Sequence, residues 1–132
     1  SENRRILSDA TLDNDQILYH NSRRIEKAFE FMNVNFQKQI TLRDLSRLVS
    51  MTEASFSRFI SKRTGNTFID TLNEIRLGHA TRMLIETGSS IAEISISCGF
   101  NNISNFNRIF KKKKHCTPKE FREGVSGTRV FI

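Results

Sequence analysis

Arg58 and Arg108 stand fifty positions apart, each inside a stretch that repeats around it. A guanidinium is a planar fork of donors that keeps its charge. It can lay two parallel hydrogen bonds on a flat pair of acceptors such as the guanine edge, as an asparagine amide can on adenine. Near Arg58 lie Ala54, Ser57 and Ser61; near Arg108 lie Ser104, Asn107 and Lys111. At helical spacing each set shares one face, while Phe56, Phe59 and Ile60, and Phe106, Ile109 and Phe110, share the other. A plain helical bundle with two similar hairpins would explain the apolar faces but not the matched polar ones. Lys111 to Lys114 follow directly on the second face, and Lys62 and Arg63 hold the equivalent place after the first. Such cations suit the negative end of a helix dipole and equally suit phosphate.

Other chemistry is poorly provided for. Cys98 and Cys116 are too few and too far apart for a zinc set, and they read as reduced thiols. His20, His79 and His115 form no local cluster, and Gly65, Gly78 and Gly88 are too scattered for a phosphate loop. There are no paired carboxylates and no nucleophile motif, so neither catalysis nor a metal or other cofactor is expected. The 132 residues carry 21 Lys and Arg against 14 Asp and Glu, a net charge of +7. That surplus favours a polyanion. An anionic membrane comes second, but no apolar run approaches the ~20 residues of a spanning helix, and there is no signal-peptide pattern. The chain begins with Ser, which suggests a piece of a longer protein or a tag remnant. Residues 1–20 sum to −2, leaving +9 for the remaining 112. Polar and weakly periodic, they read as a linker or a loosely attached helix.

The faces need helices to carry them, and the pattern is helical almost throughout. Ile25, Ala28, Phe29, Met32 and Phe36 recur at three and four residues. Thr41 to Asp44, Thr67 to Asp70, Ser90 to Glu93 and Thr117 to Glu120 each read Ser/Thr-x-x-Asp/Glu, a helix-start signature, with Glu93 and Glu120 long enough to reach back to the cap. Pro118, the only proline, suits a first helical position, and Gly65 and Gly88 suit helix ends. The expected fold is all-α, with seven helices at about 22–35, 41–49, 53–64, 68–87, 91–98, 102–114 and 118–124. Leu42, Asp44, Leu45 and Ser46 match Ile91, Glu93, Ile94 and Ser95 at an offset of 49; Phe56, Arg58, Phe59, Ile60 and Lys62 match Phe106, Arg108, Ile109, Phe110 and Lys112 at 50. Thr67 and Asp70 match Thr117 and Glu120 at the same offset of 50. The extra residue falls at the turn, where Gly99 can supply positive φ and the matching Ser50 must manage without glycine. Each unit is therefore a helix, a turn and a second helix. The two helix-turn-helix units, about 41–65 and 90–114, are joined by a long linker helix, about 68–87.

The stretch Leu42–Arg122 resembles the DNA-binding domain of the AraC/XylS family of bacterial transcription regulators. The resemblance rests on Ile91-Ala92-Glu93-Ile94, Cys98-Gly99-Phe100, Ser104 through Lys111, and Thr117-Pro118 before Phe121-Arg122. Leu45, Phe59, Lys62, Gly65, Ile75-Arg76-Leu77, Ala80 and Leu84 add to it. It implies two recognition helices in successive major grooves, ~34 Å or ~10 bp apart, within a DNA-binding domain at 21–132. Family base-contacting positions fall on Ala54, Ser57, Arg58, Ile103, Asn105, Asn107 and Arg108. Thr41, Ser61, Lys62, Arg63, Ser90, Ser104, Lys111 and Lys112 are the expected phosphate contacts. It further implies double-stranded DNA as partner, RNA polymerase as a second, and activation of transcription in the cytoplasm. A small-molecule effector would act only through another domain, of which residues 1–20 would be the linker or remnant. Where the family usually has alanine this chain has Ser46 and Ser95, whose hydroxyls must find carbonyls. Thr71 replaces an aromatic, and His115 replaces a helix-ending glycine. Small Ala54 suggests that the first unit reads fewer bases, and Gly78 should weaken the linker helix by about 1 kcal/mol. With both half-sites supplied by one chain, a monomeric domain is expected. A helical protein-interaction module is disfavoured, because its face would carry aromatic or Leu anchors rather than matched arginines. The methyl-accepting repair enzymes that carry such a domain need a reactive cysteine setting that neither Cys98 nor Cys116 has.

Overall fold

The computed structural model describes the backbone of residues 2–131 and the side chains of 14–124; Val130, Phe131 and Ile132, a hydrophobic chain end, lie outside the described side chains. Among the described residues the chain is all-α, with helices α1 (Glu2–Asn35), α2 (Leu42–Leu48), α3 (Glu53–Thr64), α4 (Phe68–Glu86), α5 (Ile91–Ser97), α6 (Ile103–Lys114) and α7 (Pro118–Phe131). α2 to α6 begin and end within a residue or so of the sequence reading. The outer helices are longer than expected. α1 starts at Glu2 rather than near 22, and residues 1–35 contain neither Gly nor Pro to stop it. α7 runs through Gly124 and Gly127, since glycine weakens a helix without necessarily ending it.

Hydroxyl and amide caps define most starts. Thr41, Thr67 and Ser90 each accept the amide three residues on, at 3.1 Å in every case. The reciprocal bond of a capping box is made by Asp44 to the Thr41 amide (2.9 Å) and by Glu120 to the Thr117 amide (3.2 Å). It is therefore the short Asp44, not Glu93, that reaches back. Thr52 and Asn102 cap α3 and α6 in the same way. Both were missed in the sequence, because no acid follows three residues later.

The two units close their turns alike. Met51 donates to the Ser46 carbonyl (2.8 Å) and Phe100 to that of Ser95 (3.0 Å), after a left-handed residue, Ser50 (φ 58°) or Gly99 (φ 90°). At the recognition-helix ends the chemistry is exchanged: Gly65 (φ 77°) ends α3 and His115 (φ 64°) ends α6. Gly88 plays no such part, since α4 ends on an extended Thr87. Buried Ser46 and Ser95 donate to the carbonyls of Arg43 (3.0 Å) and Ala92 (2.7 Å), which removes the cost of a hydroxyl in the tight helix contact.

α4 is shared between two cores. Its first half gives Phe68 and Leu72 to a cluster with Ala28, Met32, Leu45, Phe56 and Ile60. Its second half gives Leu77, Ala80 and Leu84 to a cluster with Ile94, Cys98, Phe106 and Phe110. At the junction sits Arg76, 8% exposed, donating to the carbonyls of Phe36 (2.9 Å) and Lys38 (2.8 Å) just past the end of α1. Both carbonyls belong to the loop that follows α1, outside any helical ladder, and the guanidinium satisfies them. His79, one turn further along, stacks on the Phe36 ring at 3.8 Å, and burial followed by the nearby Arg82 charge pushes its imidazole pKa down. Gly99 of the second unit packs on this node. A Cβ there would meet the Phe36 carbonyl and would lie 2.8 Å from the Arg76 Nε. Arg122 ties the other end of α4, donating to Leu84 (3.1 Å) and Thr87 (3.3 Å) carbonyls.

Candidate nucleic-acid interface

α3 and α6 hold their apolar faces in the two cores, which leaves the opposite faces outward. On α3, Phe56 and Ile60 are fully buried, and Ala54 and Arg58 are exposed with Ser57 and Ser61 half-buried beside them. On α6, Phe106, Ile109 and Phe110 are buried, and Ile103, Ser104, Asn107, Arg108, Lys111 and Lys112 are exposed. Arg58 and Arg108 thus occupy the same place on two helices that follow the same turn.

Their surroundings differ. Arg108 donates to the Asn105 Oδ1 at 2.8 Å; Asn105 is half-buried, and its backbone N–H donates to the capping Asn102 Oδ1 at 2.7 Å. Asn105 therefore presents its oxygen to Arg108 in the free protein. The equivalent of Asn105 in the first unit is Ser55, and Arg58 has no bonding partner among the described residues. Ile103, Asn107, Arg108 and Lys111 line one open groove, to which Thr117 and Lys119 at the start of α7 also contribute. Lys119 escaped the sequence reading, since nothing local sets it apart from any lysine in the first turn of a helix.

The cations divide. Lys62, Lys111 and Lys112 are exposed. Lys113 instead pairs with Glu74 of α4 at 3.2 Å, and Arg63 lies 5.7 Å over the Phe59 ring. Thr41 and Ser90 use oxygen lone pairs for capping, and each hydroxyl keeps its hydrogen to donate. Asp44 and Glu120 carboxyls are held below their ordinary values, Asp44 first by the Thr41 backbone amide and Glu120 first by the Thr117 side chain.

Cys98 is buried against Met83, its Sγ 3.8 Å from the Met83 Sδ, and burial raises its thiol pKa to about 11. A neutral, enclosed thiol is a core side chain, not a nucleophile. Among the described residues no group of three or more His, Cys, Asp or Glu could hold a metal ion, and no helix is long and apolar enough to cross a membrane.

Residues 45–124 match a protein family described as a helix-turn-helix domain. The chain is similar to the HTH-type transcriptional activator RhaR of Mannheimia succiniciproducens, 29% identical over 117 residues that make up 89% of this chain and 42% of that protein. It is 31% identical over 102 residues to the lactose operon transcription activator of Staphylococcus xylosus, covering 77% of this chain and 37% of the relative. The chain therefore spans less than half the length of either. Among solved structures, the DNA-binding domain of AdpA, a global transcriptional factor crystallised in complex with a target DNA, superposes with a TM-score of 0.76. That match covers 80% of this chain and 95% of the other at 20% identity, a likeness of fold.

Proposed function

The chain belongs to the AraC family of helix-turn-helix transcription regulators, DNA-binding proteins rather than enzymes, and from that premise we propose how its surface engages the duplex. α3 and α6 enter successive major grooves on one face of the DNA. Arg108, with Asn107 and Ile103, reads bases in one groove; Arg58, with Ser57 and the small Ala54, reads fewer in the other. Asn105 aims Arg108 and contacts its neighbouring base. Thr41, Ser61, Lys62 and Arg63 on the first unit, and Ser90, Ser104, Lys111 and Lys112 on the second, hold phosphates. The observation that carries this is the pair of exposed arginines at equivalent places on two helices set by the same turn.

The full-length protein is proposed to activate transcription, as the names of two relatives suggest; contact with RNA polymerase and a place in the cytoplasm belong to the same proposal. In this proposal residues 21–132 form the DNA-binding domain, with residues 1–20 the linker to, or a remnant of, an upstream effector or dimerisation domain. Selection from random duplex pools at fixed salt tests the core of this. Two short motifs ~10 bp apart are expected, with Arg58→Ala relaxing one and Arg108→Ala the other. Enrichment of no sequence, with binding that vanishes at modest salt, would leave only nonspecific attraction to a polyanion.

A further inference from the structure

A group of cations on α1 has no part in either reading face. Arg23, Arg24 and Lys27, with His20, line an open polar cleft whose other wall is Leu48, Val49 and Ser50, at the turn between α2 and α3. Little neutralises them. Arg23 pairs with Glu26 at 3.0 Å, both half or more exposed; Arg24 donates to the Asn21 amide oxygen at 3.4 Å; Lys27 has no bonding partner among the described residues. Ser50 is exposed, and two residues beyond it Thr52 caps the helix whose first turn carries Ala54. A recognition helix enters its groove N-terminus first, so the turn leading into it lies over the rim of that groove, where the phosphates run. The two units are not alike here. The outward face of α2 carries exposed Arg43 and Arg47, where α5 has Ala92 and a 70% exposed Ile96. The helix that leads into the recognition helix is basic in the first unit and carries no cation in the second. Contact with the second unit is made at the opposite end of α1, where Gly99 packs on the Phe36 carbonyl and Gln39 donates to Asn101. The Arg24 site lies twelve residues upstream of that end, or ~18 Å along the helix.

We propose that Arg23, Arg24 and Lys27 grip backbone phosphates of the duplex flanking the first half-site, on the side away from the second. This rests on the reading of α3 as a groove-entering helix. The cations form an open line along one helix rather than a converging pocket, which fits a continuous polyanion better than a small free anion. The chemistry is charge neutralisation without sequence information, so it extends the footprint and not the motif.

The test compares this protein with Arg23→Ala/Arg24→Ala/Lys27→Ala on a selected site and on that site shortened by one turn beyond the first motif. Alanine favours an exposed helix, and a triple Gln variant keeps the side-chain stems, so either should remain folded by circular dichroism. With ~0.9 counterion released per phosphate, the slope of log affinity against log salt should fall by about 2 to 3. Roughly 40-fold of the wild-type affinity lost between 50 and 200 mM salt should then disappear. Hydroxyl-radical protection should retreat on the first-unit side, shortening the duplex should weaken only the wild type, and the selected motif should stay the same. An unchanged slope and footprint, in a variant that still recognises its motif, would overturn this inference and leave the base-reading assignment standing. A changed motif would also overturn it, by placing the residues in sequence recognition or folding. Wild-type protein that protects no specific site would bring down both.

Discussion

Replacing Gly99 by Ala should break the junction between the two units, and the cost can be built from the structure. At φ 90° an L-residue is strained, at ~1–2 kcal/mol. The new methyl would also collide with the Phe36 carbonyl and the Arg76 side chain. Neither can step aside freely, because the two are bonded to each other at 2.9 Å and Arg76 is 8% exposed. Losing one hydrogen bond from a charged donor adds ~1.5–3 kcal/mol. The total is ~3–5 kcal/mol, a large share of the ~5–15 kcal/mol that holds a domain together. Gly65→Ala is the control: its φ is 77°, but a Cβ there would meet nothing within 4 Å, so only the ~1–2 kcal/mol of backbone strain applies. Urea unfolding followed by helical circular dichroism gives both values, and Tm should fall by ~10–20 °C for Gly99→Ala. Equal losses at the two positions would refute the reasoning, since they would leave strain as the only cost and the contact with Arg76 and Phe36 as incidental.

Ser50→Gly and His115→Gly should each stabilise by ~0.5–1 kcal/mol, because both residues are exposed and left-handed; the gain is the relieved strain less the extra freedom of the unfolded glycine. A loss at either position in the same urea titration would mean that the side chain makes a contact worth more than the strain. A thiol-disulfide reagent at pH 8 should label one cysteine per native chain, half-buried Cys116, and reach Cys98 only on unfolding, given its burial and a pKa raised to about 11. Rapid double labelling with native circular dichroism would contradict this. Asp44 and Glu120 have folded pKa values below their ordinary 3.8 and 4.5, so their contribution is complete above those values and is lost as pH falls through the lower folded ones. Asp44→Asn and Glu120→Gln should therefore flatten the decline in Tm below pH 4.5; an unchanged acid limb would place the responsible carboxylates elsewhere.

What could be read from the sequence was local, and what could not was long-range. Thr41, Thr67, Ser90 and Thr117 announce their helices because cap and partner lie three residues apart. The hydroxyls of Ser46 and Ser95 find carbonyls within their own helix turn. The reading faces follow from period alone. Arg76 was legible only as part of a family stretch; its partners lie 38 and 40 residues away, and no periodicity in α4 distinguishes a buried guanidinium from a solvated one. Asn105 was assigned to base contact, and its bond to Arg108 could not be told from sequence, since i to i+3 spacing permits the pair without requiring it. The length of α1 was missed because a polar segment without breakers can be helix or linker at similar local cost. Gly88 was given a capping role on residue type, and the chain ends α4 on an extended Thr87 instead.

The asymmetry between the units then has a physical sense. A guanidinium that is already held, as Arg108 is by Asn105, loses less rotamer freedom when it meets a base, and it penalises a base that would require it to turn. Arg58, without such a partner, can follow whatever acceptor lies near, phosphate or base edge, and Ala54 beside it adds no donor at all. Discrimination should therefore concentrate in the second unit. For the first unit to bind comparably, its affinity must come from charge, and it has charge outside its reading face to supply it: Arg43 and Arg47 on α2 and the line of Arg23, Arg24 and Lys27 on α1. Backbone attraction without readout would let the first unit slide over several registers. The Arg76 node opposes this, because it fixes α1 and the first unit to the turn that launches α6, so that the unit with the discriminating arginine sets the register for both.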